Sequence, residues 1–281
     1  MGRVLFERHG RLIVTKKARG RNISTKENSK VFNTRLNFNI VSDLSSFSNK
    51  SRIKIYNLSK ESQNFLEQDN LLVILQVGYG EEELKTIFIG DIDKENGIHT
   101  TRQGPDVVTD IECGDAENQI RNAVVSISLA GKVTMRMAVG EVLKSLNLSI
   151  GFARRLPNFV FENGYSNSGR IQKVMDDLAR YGKFSWSVQN GQIVILRPRE
   201  TLTQTAYVVS KDTGLIGSVL KTKEKVEFNV LMTPQIRAGV AVRLESKRYG
   251  TIDLKVTKVD FVGDTHDGDW LQSVEGEPRK R

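Results

Sequence analysis

The sequence predicts an α+β chain that is mostly β, with an N-terminal β-rich domain and a C-terminal antiparallel β-barrel flanking a small α+β domain. Three observations point there. Residues 226–276 hold three runs of alternating apolar and polar residues separated by turns. Val226, Phe228, Val230 and Met232 share one face, as do Val240, Val242 and Leu244, and then Ile252, Leu254 and Val256. Residues 32–113 hold a second, longer series of such runs. Long stretches at helical spacing occur only between the two series. The domains therefore read as 1–115, 116–200 and 201–281, the last ending in the basic tip Arg279-Lys280-Arg281.

Taken in order, residues 4–14 read as two short strands around His9-Gly10, and 15–30 as a polar loop or mobile arm. Phe32, Thr34, Leu36, Phe38 and Ile40 then alternate with polar neighbours, as do Ile53 and Ile55 in residues 52–58. Ser59 is placed to cap a short helix with Phe65 and Leu66 on its apolar side. Residues 71–77 form a nearly continuous apolar run, the pattern of a strand buried on both faces, ended by Gly78-Tyr79-Gly80. Residues 86–92 and 107–113 complete about six or seven strands.

The middle domain opens with the alternating run 123–129. Thr134 caps a helix with Ala138, Val139, Val142, Leu143 and Leu146 on one side, and residues 156–161 are extended. Ser168 caps a second helix, apolar at Ile171, Val174, Met175, Leu178 and Ala179, with Gly182 at its C′ position. Asn190-Gly191 between two alternating runs marks a tight hairpin. Pro198 closes the domain, and residues 201–205 link it to the last one. There the apolar phase flips between Val256 and Val259, the mark of a bulge that bends a sheet toward closure.

The formal charge of +9 is unevenly placed. Residues 1–35 carry ten Lys and Arg against Glu7 and Glu27, whereas residues 252–277 carry seven acids against Lys255 and Lys258. Such segregation suits contacts between complementary ends, with Lys16, Lys17, Arg19 and Arg21 as candidate partner-interface residues. No run of 18 apolar residues is present, so no helical membrane anchor is expected, and the first residues lack the pattern of a secretory signal. Cys113 is the only cysteine, which excludes an intrachain disulfide and a cysteine-based zinc site; its alternating strand makes it a small core residue.

No constellation marks catalysis. His9, His99 and His266 each fall in a turn of the predicted pattern, and none accompanies a nucleophile elbow, a Walker loop or a zinc-protease motif. Catalytic, cofactor and metal residues are all expected to be none. The strongest metal candidate is Asp264, His266, Asp267 and Asp269 with Glu275 eleven positions after Asp264. An EF-hand would need an oxygen ligand where His266 stands, glycine one position later than Gly268 and a preceding helix, so the reading is an acidic turn joining two strands. Six Lys and Arg in residues 11–26 would suffice for phosphate contacts, but no interleaved aromatic or helix-turn-helix accompanies them. Specific nucleic-acid recognition is therefore not expected. Trp186 and Trp270 read as core or interface anchors.

Four segments in order carry a family resemblance: RIKIYNLSKES at 52–62, DIECGDAENQIRNAVVSISLAGKVT at 110–134, the helix and Phe-Ser-Trp hairpin of 165–196, and residues 213–276 with GLIGSV, NVLMTPQIRAG and VDFVGDTHDGDW. Together they resemble the baseplate hub proteins of contractile-tailed bacteriophages, the Mu-like and late-control-D group. The basic loop 15–30 is a departure from that pattern. The resemblance implies two tube-like barrels per chain, and a homotrimer whose pseudo-six-fold ring joins a tail tube to a three-fold central spike. It implies partners in the tube or tube-initiator protein, the spike and a tape measure protein. Residence in the virion tail after synthesis in the host bacterial cytoplasm, and no enzymatic activity, also follow from it. Two other classes remain in view. A cell-wall-active or carbohydrate-binding tail component would reveal itself in a muralytic assay, and a nucleic-acid binder in a steep salt dependence.

Overall fold

The structure is a computed structural model that describes residues 7–16, 28–44, 50–81, 83–93, 97–114, 123–146, 149–153 and 156–279. The chain is α+β and mostly β. Its first part contains β1 (Arg8–Lys16), β2 (Ser29–Phe32), β3 (Leu36–Asp43), β4 (Lys50–Tyr56), helix α1 (Lys60–Leu66), β5 (Leu71–Tyr79), β6 (Lys85–Ile92), β7 (Ile98–Gln103) and β8 (Asp106–Gly114). The middle contains β9 (Val124–Leu129), β10 (Val133–Thr134), α2 (Met135–Leu146), β11 (Ser149–Phe152), β12 (Val160–Phe161), β13 (Tyr165–Arg170), α3 (Ile171–Gly182), β14 (Ser185–Gln189) and β15 (Gln192–Leu196). The last part contains β16 (Tyr207–Val209), β17 (Leu215–Lys221), β18 (Val226–Leu231), β19 (Ala241–Ser246), β20 (Gly250–Asp264) and β21 (Trp270–Pro278).

Alternation sets the burial of most strands. Leu36, Phe38 and Ile40 face inward from β3, Ile53 and Ile55 from β4, and Val226, Phe228 and Val230 from β18. β5 is buried along most of its length, so its apolar run lies inside the core. The phase flip near Val256 is a real bulge: the register of β20 against β21 shifts between Val256 and Lys258. Ser59 caps α1 by accepting from the Ser62 N–H at 3.2 Å, and Thr134 Oγ1 accepts from the Met137 N–H at 3.3 Å. Asn190 and Gly191 both take positive φ, 52° and 71°, as a two-residue turn between twisted strands requires.

Several elements differ from expectation, each for a local reason. β1 runs unbroken through His9-Gly10, because nine consecutive residues pair with β5 from Arg8 opposite Tyr79 to Lys16 opposite Leu71. Residues 4–6 lie outside the described residues. Thr15, Lys16, Ser29 and Lys30, expected in the loop, are strand residues that pair in β1, β2 and β5. Ser168 belongs to β13, opposite Ser126 of β9, and the ladder displaces the helix start to Ile171. The Ile171 N–H finds its acceptor in the Ala123 carbonyl at 3.0 Å instead of in a side-chain cap. At the other end of α3 the left-handed residue is Lys183, φ 50°. Gly182 is the last helical residue, and a Cβ there would lie 2.6 Å from the Phe184 ring, so close packing demands the glycine.

The α+β unit has its own core. Val139, Val142 and Leu143 of α2 meet Ile171, Val174, Met175 and Leu178 of α3, with Trp186, Ile193 and Ile195 beneath them. The two β-rich ends share the other core, a single cluster from Leu12 and Phe38 to Phe261 and Val274. They also share one sheet, because β20 pairs antiparallel with β3 from Lys258 opposite Asp43 to Asp264 opposite Asn37.

Candidate assembly interface

Eight strands follow one another in a single antiparallel path: β17, β18, β21, β20, β3, β4, β8 and β7. One face of this path covers the apolar core. The other is open and polar, with Asn229, Ser273, Asp260, Asn39, Arg52 and Asp110 on successive strands exposed or half-buried. Several of its charges are paired: Arg52 with Asp110 at 2.7 Å, Lys258 with Asp260 at 3.0 Å, Lys225 with Glu275 at 2.7 Å. Exposed pairs of this kind add little stability, so the face is a solvated surface and not a hidden core. Two shallow depressions lie on it. One of about 290 Å³ is lined by Leu220, Glu227, Lys258, Asp260 and Glu275, the other of about 250 Å³ by Asn39, Lys50, Arg52, Asp93 and Glu112.

The path is an internal repeat of four strands. β17-β18-β21-β20 and β3-β4-β8-β7 have the same chain order, two hairpins side by side with the second reversed. Backbone hydrogen bonds fix the equivalence residue by residue. Tyr56 N donates to Arg35 O, and Leu231 N donates to Gly214 O, at the same end of the first hairpin. Asn57 N donates to Val107 O, and Met232 N to Trp270 O, between the second and third strands. The second hairpin closes at Gln103 opposite Asp106 in one half, and by Asp264 N donating to Asp269 O in the other. Burial follows the same scheme: Ile53 and Ile55 match Phe228 and Val230, and the buried polar Thr109 matches the buried polar Gln272. No periodicity in the sequence exposed this repeat.

The acidic turn lies where the two halves meet. Asp264 is 7% exposed at its side chain and accepts from Arg35 Nε at 3.3 Å and Nη2 at 2.9 Å. It also accepts from Asn37 Nδ2 at 3.3 Å and from the backbone N–H groups of His266 and Asp267 at 2.9 and 3.2 Å. Desolvation pushes the Asp264 carboxyl upward, but the Arg35, backbone and Asn37 hydrogen bonds outweigh it and hold the group below the usual carboxylate range. The Arg35 guanidinium stacks on the Tyr56 ring at 4.5 Å. Next to Asp264, Thr265 exchanges two hydrogen bonds with the Leu36 backbone at 2.9 and 3.0 Å. Arg8 Nη1 donates to Gly268 O at 2.8 Å. The turn thus stitches the end of the chain to its beginning.

Among the described residues, no three His, Cys, Asp or Glu side chains are grouped to hold a metal. Asp264 already spends its oxygens on Arg35, Asn37 and two amides. Added calcium or zinc is expected to leave the melting temperature unchanged, whereas a site filled at 100 times its dissociation constant would add about 2.7 kcal/mol. A reproducible rise with one metal in a thermal scan would overturn this.

The other sequence candidates are scattered. Lys16 is the exposed last residue of β1, and Lys17, Arg19 and Arg21 lie outside the described residues. Contrary to expectation, His9 and His99 lie in strands; only His266 lies in a turn. Cys113 is buried. Trp186 Nε1 donates to Asp176 at 2.8 Å, and Trp270 packs edge-on against Phe38 at 5.6 Å, so both are core anchors. The α+β unit is tied on through its hairpin tip: Asn190 Oδ1 accepts from the Ile89 N–H of β6 at 3.0 Å.

The chain is thus a doubled four-stranded unit with an open polar face and an appended α+β unit. The sequence model of the baseplate hub gp41 family matches residues 22–252, most of the chain, and the protein belongs to that family. Its fold is similar to that of the 43 kDa tail protein of prophage MuSo2 from Shewanella oneidensis, at 9% identity and TM-score 0.62, covering 95% of this chain and 97% of that one. A tail protein from Neisseria meningitidis MC58 gives 9% identity and TM-score 0.61, with 95% and 96% covered. The E. coli c3393 protein gives 10% identity and TM-score 0.59, with 94% and 76% covered. That protein is a component of the type VI secretion system with structural similarity to the T4 tail proteins gp27 and gp5. Comparison with curated proteins gave no match.

Proposed function

We propose that three copies of this chain form the ring of a baseplate hub that joins a six-fold tail tube to a three-fold central spike. The observation that carries this is the internal repeat. A chain that presents two equivalent four-stranded units gives six such units in a trimer, which matches six-fold symmetry on one side and three-fold on the other. In this reading the N- and C-terminal β-rich domains are the two tube-like units. The α+β unit sits outside the ring, consistent with its attachment through Asn190 to β6, whose Phe88 packs over the core face of the sheet. The tube or tube-initiator protein and the spike are the axial partners, and a tape measure protein occupies the channel. The chain acts as a structural part without catalysis of its own, within the virion tail after synthesis in the host cytoplasm.

Native mass measurement of assembled baseplates tests the reading. Three copies per particle are expected; two, four or six would end it. The basic segment supplies a second test, since its charge suits an acidic partner surface. Charge reversal at Lys16, Lys17, Arg19 and Arg21 together is expected to reduce tail assembly while leaving the circular dichroism spectrum and melting temperature unchanged. Normal assembly by that variant would remove the segment from the interface.

A further inference from the structure

We infer that the surface of the α+β unit around Tyr181 is a docking site for a segment of a different tail protein, apolar at its contact and rich in Asp or Glu beside it. The inference rests on the reading above only in that the chain works beside other tail proteins with its α+β unit outside the ring; it does not depend on the copy number. Among the described residues nine large apolar side chains are exposed, and five of them, Val124, Met137, Ile150, Val160 and Tyr181, belong to the α+β unit. Single exposed apolar residues are ordinary at a surface, whereas clustered ones mark contact sites. Met137, Val160 and Tyr181 stand around one aromatic cluster.

The cluster is built by the chain at β12, by β13 and by the last turn of α3. Phe159 and Phe161 meet with ring centroids 4.8 Å apart. Tyr181 of α3 closes on both, at 5.9 Å from Phe159 and 5.5 Å from Phe161. Phe161 also meets Tyr165 at 4.7 Å. The Tyr165 hydroxyl accepts from Asn167 Nδ2 at 3.2 Å, and the same amide donates to Asp177 at 3.3 Å. Phe159 and Phe161 are partly buried against the core of the unit, while Tyr181 stays 56% exposed. Val160 separates the two phenylalanines along the chain and is itself exposed. Thr134, opposite Val160, caps the turn that carries the exposed Met137. Among the described residues, none from either β-rich end joins this core.

The chemistry selects an acidic protein segment. The Phe159–Phe161 and Phe161–Tyr181 pairs cross at 70° and 81°, so the rings offer no flat platform on which a sugar could stack. Aromatic residues, Met and Arg are the residues enriched at protein interfaces, and rings already held by packing lose little freedom on binding. The charge around the cluster is positive. Arg180 and Lys183 flank Tyr181 along the chain, Arg136 precedes Met137, and Lys132 precedes β10. The acids among them are already engaged, Glu162 with Lys132 at 2.9 Å and Asp177 with Arg180 at 3.1 Å. Among the described residues Arg136 and Lys183 make no ion pair, so the surface has two cations to offer a partner. A two-fold contact between two such surfaces would set these cations against each other, which disfavours a second copy of this chain as the occupant.

Photo-crosslinking in purified tails tests the contact. The photoreactive residue p-benzoylphenylalanine replaces Tyr181 in one variant and Met137 in a second; both sites are exposed, so the fold is expected to stand. Irradiation is expected to join each variant to another tail protein, through a peptide in which Asp and Glu outnumber Lys and Arg. Arg136→Glu with Lys183→Glu is expected to lower the yield of complete tails about tenfold at unchanged melting temperature, and Arg136→Lys with Lys183→Arg to leave the yield normal. A cross-link to another copy of this chain, to a peptide without an acidic excess or to no protein would overturn the inference. Equal yields from the charge-reversed and charge-preserving variants would overturn it too. Purified tails that lack this chain altogether would instead end the tail reading on which the inference rests.

Discussion

Phe38→Ala is expected to lower the unfolding free energy by about 3–5 kcal/mol. Phe38 is 1% exposed and lies opposite Gly263 where β3 pairs with β20. Its ring fills the space that a side chain at Gly263 would need: a Cβ there would stand 2.3 Å from Phe38 Cζ. Trp270 meets the same ring edge-on, with 5.6 Å between centroids and 72° between planes. Truncation therefore empties a site walled by β3, β20 and β21, and the backbone at Gly263 offers nothing to collapse into it. Phe38→Leu retains much of the volume and is expected to cost less, about 1–2 kcal/mol. Urea unfolding of the three proteins makes the comparison. Because this ring joins the two β-rich ends, both should lose structure in one transition; a loss under about 1 kcal/mol for Phe38→Ala, or two separated transitions, would contradict the shared core.

Asp264→Ala is expected to cost about 2–3 kcal/mol at neutral pH, because it strands a partly buried Arg35 and two turn amides. The loss has a definite pH dependence. Asp264 has its carboxyl pKa depressed in the folded chain, so the folded state holds fewer protons than the unfolded one at mildly acid pH. Its contribution is fully present above the unfolded value of about 3.9 and disappears as pH falls through the lower folded value. The stability gap between wild type and Asp264→Ala should stay constant from pH 7 to about pH 5 and shrink below about pH 4. A gap that persists unchanged at about pH 2 would mean that the carboxylate charge is not what holds the turn.

Legibility followed burial. The strands that cover the core on one face, such as β3, β4 and β18, announce themselves by period-two alternation, since each second side chain leaves water. The bulge in β20 was legible for the same reason, as a slip in that alternation. The Asn190-Gly191 turn was legible because few residue pairs accept two positive φ angles. What stayed hidden lies at the edges. β7, Ile98 to Gln103, is exposed along nearly its whole length, and β17 carries a register shift, so neither shows a sustained buried face that could leave a pattern.

The sequence alone thus determined the class of fold and where along the chain the alternating strands and the two amphipathic helices fall. Only the tertiary structure decided that β20 pairs with β3 across more than two hundred residues, that both ends share one core, and that the two halves are equivalent strand for strand. The physical reason is that strand pairing is made by backbone groups that every residue carries. A sequence records which side chains leave water, and that specifies faces; it does not record which edge meets which.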